Sequence, residues 1–314
     1  MSPRAKAAAK RVLGPLLGRP RVREFVARQN AEALIAERRL REKMVTREAG
    51  QLKTVHIETR LRCNGQCVFC AASVQYETRP DESMPAELFA KIVGDLRDMD
   101  YDQRISPYCN NEPLLDPRIY DFIRVARQTC PRATLELKTN GMSLGEDKLG
   151  RLSEAGLDIL YVNDYHTSER ITAKLRALCA KHPRLGPTRV VYANRSYQES
   201  SGKVNRAGTN PSMAALDRPM PLFCYRPFEM LTITVDGSVS TCSNDLSFRN
   251  TVGNVAKNPL AEIWQCEAMN RLRADLLAHQ RTVGPACRGC DYHGLTLGHQ
   301  YRSLYRPLLG LLQP

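Results

Sequence analysis

The sequence predicts an α/β protein: a parallel sheet of repeated strand–helix units, then a smaller hairpin-and-helix region. Three observations carry this. From residue 52 to about residue 195, short strand-like runs alternate with amphipathic helical stretches. Residues 195–223 are rich in Ser, Asn, Gly and Pro, and the rhythm stops there. Beyond them "EMLTITVDGSVSTCS" alternates on both sides of Asp236-Gly237, the pattern of a β-hairpin.

Taken in order, "LKTVHIET" reads as the first strand, and "PAELFAKIVGDLRDM" as a helix with Pro85 at its start. "RISPYC" is a short strand. "DPRIYDFIRVARQ" is a helix that Asp116 could cap. "ATLELKT" is a strand, followed by the helix "GEDKLGRLSEAG", which stops at Gly156. The strand "LDILYVN", the helix "TSERITAKLRALCAKH" and the strand "TRVVYAN" complete the series. That makes about five strands before residue 195, short of a full eight-stranded barrel. After the hairpin, "PLAEIWQCEAMNRLRADLLAHQ" reads as one helix, then "CRGC" and a leucine-bearing tail. The expected division is a basic, mostly helical extension over 1–50, a sheet domain over 51–210, and a smaller domain with its tail over 211–314.

Composition narrows the function classes. The chain has 314 residues, 42% hydrophobic and 25% charged, as expected of a globular protein. No apolar run reaches the roughly 20 residues that span a bilayer. "VLGPLLG" is short and interrupted by Pro15, so a secretory signal is not expected. Residues 1–50 hold 13 Lys/Arg against 5 Asp/Glu, which places +8 of the net +13 in the leader. Such a leader could touch an acidic partner, or simply form a solvated helix. The eleven cysteines are odd in number and partly clustered, which points to a reducing cytoplasm and metal ligation over a disulfide scaffold.

The sharpest motif is "CNGQCVFC", which puts Cys63, Cys67 and Cys70 at C-x-x-x-C-x-x-C spacing at the end of the first strand. Thiolates suit iron–sulfur clusters or zinc. A [4Fe–4S] cube takes one cysteine per iron, so three leave one iron open for another molecule. Zinc with a distant fourth ligand is the other reading. The motif resembles the signature of radical S-adenosylmethionine (SAM) enzymes. That resemblance implies a partial (β/α)6 barrel with SAM chelating the open iron. It also implies reductive cleavage of SAM to a 5′-deoxyadenosyl radical that abstracts hydrogen, and it places Phe69 near the adenine.

Further stretches resemble the same family. "YCNNEPLLDPRIYDFI" is similar to its Gly-Gly-Glu-Pro element, with Asn110 and Asn111 in place of the glycines. There Glu112 is the candidate for the SAM ammonium, through a charge-assisted hydrogen bond. Thr139, Asn140 and Gly141 match the family's Thr-Asn-Gly element, and Asn163 stands near its ribose-binding position. Tyr108, Cys109, Asp164, Tyr165, His166 and Arg195 join the pocket candidates because barrel chemistry collects at strand C-termini.

A second set, Cys224-x12-Gly237-x4-Cys242 followed by Cys287 and Cys290 in "CRGC", resembles a SPASM or twitch domain. "NRAG", "VGN" and "EIW" agree with it. The resemblance implies one auxiliary [4Fe–4S] cluster on four cysteines; a four-cysteine zinc site is the competing reading. Cys130, Cys179 and Cys266 fit buried apolar positions. Cys109 could return a hydrogen atom to a substrate radical.

Two outcomes follow from the resemblance: oxidation, with the auxiliary cluster taking an electron, or epimerisation with a thiol hydrogen donor. A small polar metabolite such as a sugar, aminocyclitol or nucleoside is the expected substrate, with a low-potential donor such as flavodoxin or ferredoxin. The alternatives are a maturase of a ribosomal peptide and, from another class, an iron–sulfur sensor or nucleic-acid-binding protein. The sensor reading leaves Glu112, Thr139, Asn140 and Gly141 unexplained, and nucleic acid is not an expected partner.

Overall fold

A computed structural model describes residues 51–67, 70, 72, 81–166, 168–194, 205–211 and 213–292. The expectations for the basic leader, Phe69, Arg195 and the leucine-bearing tail fall outside these residues. Gly50–Tyr292 form one unit.

The elements run β1 (Thr54–Ile57), α1 (Ala86–Asp98), β2 (Arg104–Ser106), α2 (Ile119–Thr129), β3 (Thr134–Thr139), α3 (Glu146–Glu154), β4 (Ile159–Asp164), α4 (Glu169–Lys181), β5 (Arg184–Leu185) and β6 (Thr188–Asn194). Next come α5 (Arg226–Glu229), β7 (Met230–Ile233), β8 (Ser238–Ser240), β9 (Thr251–Asn254), α6 (Leu260–Gln265), α7 (Glu267–Leu277) and α8 (Pro285–Arg288). Among the described residues the strands make one sheet, in the order β5-β6-β4-β3-β2-β1-β7-β8-β9. Strands β6, β4, β3, β2, β1 and β7 are parallel neighbours, and β8 and β9 continue antiparallel.

The sixth parallel strand is the finding. It is β7, the first arm of the predicted hairpin, registered against β1 from Thr54↔Met230 to Ile57↔Ile233. The sheet therefore runs without interruption from the βα units into the C-terminal hairpin. Gly237 makes the turn between β7 and β8 at φ +84°, a conformation glycine adopts without strain. Asp236 supports it by accepting from the Ser238 amide at 2.9 Å.

The core lies between the sheet and its helices. Val55, Ile57, Ile105, Leu135, Leu137, Leu160 and Val162 point into it from alternate strand positions. Phe89 of α1 and Phe122 of α2 stack with centroids 4.4 Å apart. Cys130 and Cys179 are buried here as small apolar groups. Helix α2 starts later than "DPRIYDFI" suggests. Asp116 is not its cap: it accepts from the amide and guanidinium of Arg118 at 3.0 Å and so shapes the turn before it. The single helix expected over 259–280 is two. Cys266 leaves the helical region at ψ 160° and caps α7. The break is stabilised by Arg273, which donates to the Trp264 carbonyl at 2.9 Å and lies over its ring.

Candidate functional site

The sequence-predicted residues meet at the C-terminal ends of β1 to β4. After β1 the chain curls through Cys63 to Cys70, and the Cys70 amide donates to the Cys67 carbonyl at 2.9 Å. Gly65 lies inside this curl. A Cβ there would come 3.4 Å from Cys63 Sγ, 3.6 Å from Cys67 Sγ and 3.6 Å from Asn140 Nδ2. The Gly65 amide already points at Cys63 Sγ, 3.3 Å away. This is a cradle lined by sulfur and N–H, as an iron–sulfur cube needs. Burial pushes the Cys63 thiol up to about 12 and the Cys67 thiol up to about 11, so loading iron must displace protons there.

Glu112 holds the next two loops together. Its Oε1 accepts from Thr139 Oγ1 at 2.6 Å and from the Leu114 amide at 3.2 Å, and its Oε2 accepts from the Asn140 amide at 2.8 Å. Burial raises its pKa, and those three donors pull the other way. A carboxylate offers about four acceptor positions, so one remains for a ligand cation. Asn140 in turn donates to Asn64 Oδ1 at 2.9 Å, which ties the third strand's end to the cysteine loop. Gly141 takes φ +77°, and a Cβ there would lie 2.9 Å from Leu175, so α4 packs where a larger residue would need room. After β4, buried Asp164 accepts from the His166 amide at 2.9 Å and from Tyr192 Oη at 2.7 Å. His166 Nε2 lies 3.2 Å from the Asn140 carbonyl oxygen. Asn163 is half-buried on β4, beside this group.

The strands' other face carries a polar network that the motifs do not signal. Glu136 pairs with Arg104 at 3.1 Å and Lys138 at 3.3 Å, and Tyr108 Oη donates to it at 3.4 Å. Lys138 lies over the rings of Tyr108 and Tyr161. His56 meets Tyr108 edge-on at 5.6 Å. Burial, then the charges of Lys138, Arg226 and Arg104, lower the His56 pKa to about 3, so it is neutral. The available signal was period-2 alternation: polar His56, Glu136 and Tyr161 sit between apolar neighbours on their strands, and Lys138 follows two residues after Glu136 on the same face.

The second cysteine set also converges. Cys224, Cys242, Cys287 and Cys290 line one cavity, together with Arg226, Asn250, Arg281 and Tyr292. All four sulfurs receive N–H groups, that of Cys224 from the Arg226 backbone amide. Asn244 N and Arg226 Nη1 approach Cys242 Sγ at 3.3 and 3.5 Å, Asn250 Nδ2 approaches Cys287 Sγ at 3.2 Å, and Tyr292 N approaches Cys290 Sγ at 3.4 Å. Four thiolates around one cavity match the one sulfur per iron that a [4Fe–4S] cluster takes. Cys266 stays outside, directed at the Val252 carbonyl.

The two centres share a seam. Cys70 and Ala72 pack on Leu246. Arg206, from the "NRAG" segment, donates to Asn110 Oδ1 at 2.5 Å, and Thr234 reaches Glu58 Oε2 at 3.4 Å. Cys109 is half-exposed at this seam, its sulfur accepting from Asn110 Nδ2 at 3.3 Å.

Comparison with known proteins agrees with this geometry. Residues 57–185 match the radical SAM superfamily, and residues 224–291 match SPASM, an iron–sulfur cluster-binding domain. An S-adenosyl-L-methionine-dependent 2-deoxy-scyllo-inosamine dehydrogenase from Niallia circulans is 26% identical over 247 residues, 79% of this chain and 96% of that protein. The crystal structure of BtrN in complex with AdoMet and 2-DOIA has the same fold, with TM-score 0.68 at 24% identity over 80% of this chain and 97% of that one. Native anSMEcpe with bound AdoMet shares it too, at TM-score 0.52 and 13% identity, over 83% of this chain and 96% of that one. No described helix is long and apolar enough to cross a membrane. With two cysteine constellations on one sheet and both domain matches in place, the chain belongs to the radical SAM superfamily and carries a SPASM-type iron–sulfur domain.

Proposed function

We propose that the chain is a radical SAM dehydrogenase that oxidises a secondary alcohol on a small polyhydroxylated ring of the aminocyclitol type. The observation that carries this reading is the complete cysteine set around the second cavity. Four protein thiolates leave no iron open to substrate, so that centre is suited to take an electron rather than bind the alcohol. Similarity to a 2-deoxy-scyllo-inosamine dehydrogenase over most of both chains supports the substrate class.

When bound, SAM at the first cluster supplies the hydrogen-abstracting 5′-deoxyadenosyl radical, and the auxiliary cluster supplies an electron acceptor. The chain's own residues do the rest. Cys63, Cys67 and Cys70 would hold the first cluster. Glu112 would receive the SAM ammonium at its remaining acceptor position, and Asn163 would face the ribose. Thr139 and the Asn140 amide keep Glu112 oriented. Tyr108, Lys138 and Tyr161 offer a polar, ring-lined wall for a hydroxylated substrate. Oxidation gives Cys109 no step to perform. None of the eleven cysteines is paired in a disulfide, which suits a reducing cytoplasm and an electron donor of the flavodoxin or ferredoxin kind.

The test is anaerobic turnover of the reconstituted protein with dithionite, SAM and a panel of aminocyclitols. A product two mass units lighter than its substrate, formed in step with 5′-deoxyadenosine, is expected. Run in deuterated water, a product one mass unit heavier than its substrate, with one deuteron at the inverted carbon, would establish epimerisation instead, and turnover of peptides alone would move the substrate to that class.

A further inference from the structure

The auxiliary cavity is lined by two arginines, buried Arg281 and half-buried Arg226. Arg281 donates to carbonyl oxygens of Leu222, Phe223 and Cys290, at 2.9, 3.2 and 3.3 Å, which braces the loops, and its charge reaches Cys224 and Cys290 without a hydrogen bond to either sulfur. Arg226 does something else. Its Nη1 donates to Cys242 Sγ at 3.5 Å and to Ser243 Oγ at 2.9 Å, while its guanidinium lies 4.3 Å over the Tyr292 ring. Tyr292 is itself fixed by a 2.9 Å hydrogen bond between its hydroxyl and that of Tyr225. Of the donors facing the four sulfurs, the amides of Asn244, Arg226 and Tyr292 and Asn250 Nδ2 are neutral. Arg226 brings a full charge.

We propose that Arg226 is a positioning residue that sets the reduction potential of the auxiliary cluster, by holding a permanent positive charge and an N–H···S bond against its Cys242 ligand. This rests on the two-cluster reading above. Reduction adds one negative charge to the cluster, and a cation fixed beside it in a low-dielectric cavity stabilises that reduced form. Arginine suits the task because it does not deprotonate. The position on α5 also matters. Arg226 starts the turn that leads into β7, the strand paired with β1, and its charge is felt at His56 on β1. Its charge therefore acts on the strand that leads to the first cysteine set as well as on Cys242.

The electron count gives this charge its purpose. Abstraction of the carbinol hydrogen by the deoxyadenosyl radical leaves one unpaired electron on the substrate carbon. Formation of the C=O bond would then pass that electron to the auxiliary cluster and the hydroxyl proton to water. Arg226 favours the acceptor side of this transfer.

The experiment uses the full chain with Cys63, Cys67 and Cys70 replaced by alanine, so that the auxiliary cluster gives the sole iron–sulfur signal in a redox titration followed by electron paramagnetic resonance. Arg226→Gln and Arg226→Met are each expected to lower the equilibrium constant for electron uptake at least tenfold, which is about 59 mV for a one-electron couple. Arg226→Lys, which keeps the charge, is expected to recover part of the shift. In the otherwise unaltered enzyme, Arg226→Gln should lower the ratio of oxidised product to 5′-deoxyadenosine. If either neutral variant holds the cluster and titrates at the wild-type potential, the proposal is overturned while the two-cluster reading stands. If the starting protein shows no auxiliary iron–sulfur signal, both fall.

Discussion

Thr139 donates its hydroxyl to Glu112 Oε1 at 2.6 Å, and this bond joins the loop after β2 to the last residue of β3. Hydrogen bonds to charged groups contribute about 1.5–3 kcal/mol, and a buried carboxylate deprived of one cannot recover it from water. Thr139→Val is therefore expected to weaken SAM binding by about tenfold or more, as about 1.4 kcal/mol suffices for that factor. Calorimetric titration of the reconstituted protein with SAM measures it. Wild-type affinity in the variant would show that Glu112 does not depend on this donor.

The two cysteine sets are expected to act independently. Cys63→Ala should lose the first cluster's iron and all 5′-deoxyadenosine formation. Cys287→Ala should lose the auxiliary iron yet retain some SAM cleavage, while oxidised product disappears. Iron analysis and product chromatography read both. Equal loss of all iron in the two variants would refute the division.

Gly65 leaves the space between Cys63 and Cys67 clear. Gly65→Val fills it with atoms that cannot coordinate iron. The expected result is a several-fold loss of first-cluster loading with the auxiliary signal preserved. Full loading would place the cube elsewhere in the loop.

His56 has a pKa of about 3 when folded, against an ordinary 6.5. Below pH 6.5 the unfolded chain takes up a proton that the folded chain refuses, so stability is present above that pH and lost as pH falls. Between about pH 7 and pH 5 this one group should remove about 2 kcal/mol of unfolding free energy. Denaturant titrations of wild type and His56→Gln at both values give the comparison. An equal pH dependence in the two proteins would mean that His56 is not responsible.

Cys109 separates the two chemical outcomes. Under the oxidation reading, Cys109→Ala should still give a product two mass units lighter. If the variant instead accumulates 5′-deoxyadenosine without any changed substrate, the thiol returns a hydrogen atom and the enzyme epimerises.

Much of this was legible in the sequence because the deciding signals are local. Spacing brings Cys63, Cys67 and Cys70 together, and Asp236-Gly237 dictates a hairpin whatever surrounds it. What escaped depends on neighbours distant in the chain. That β7 pairs with β1 follows from which sheet edge is open, a property of the assembled sheet and not of "MLTI". The split at Cys266 is made by Arg273 reaching back to Trp264, against a helical pattern that continues through it. Arg226 resembled any arginine beside a proline until Cys242 and Ser243 arrived next to it. The buried polar row from His56 to Lys138 was present as alternation but carried no motif.

The ladder between β1 and β7 has a mechanical consequence. Each of these strands leads directly into or out of one cysteine set, and four registered residue pairs lock them side by side. Tunnelling slows steeply with separation, so a hinge between the centres would let the transfer rate wander. A shared backbone ladder removes that hinge, and exchanging the auxiliary module for another would mean re-forming an interior sheet pairing instead of swapping a tethered bead.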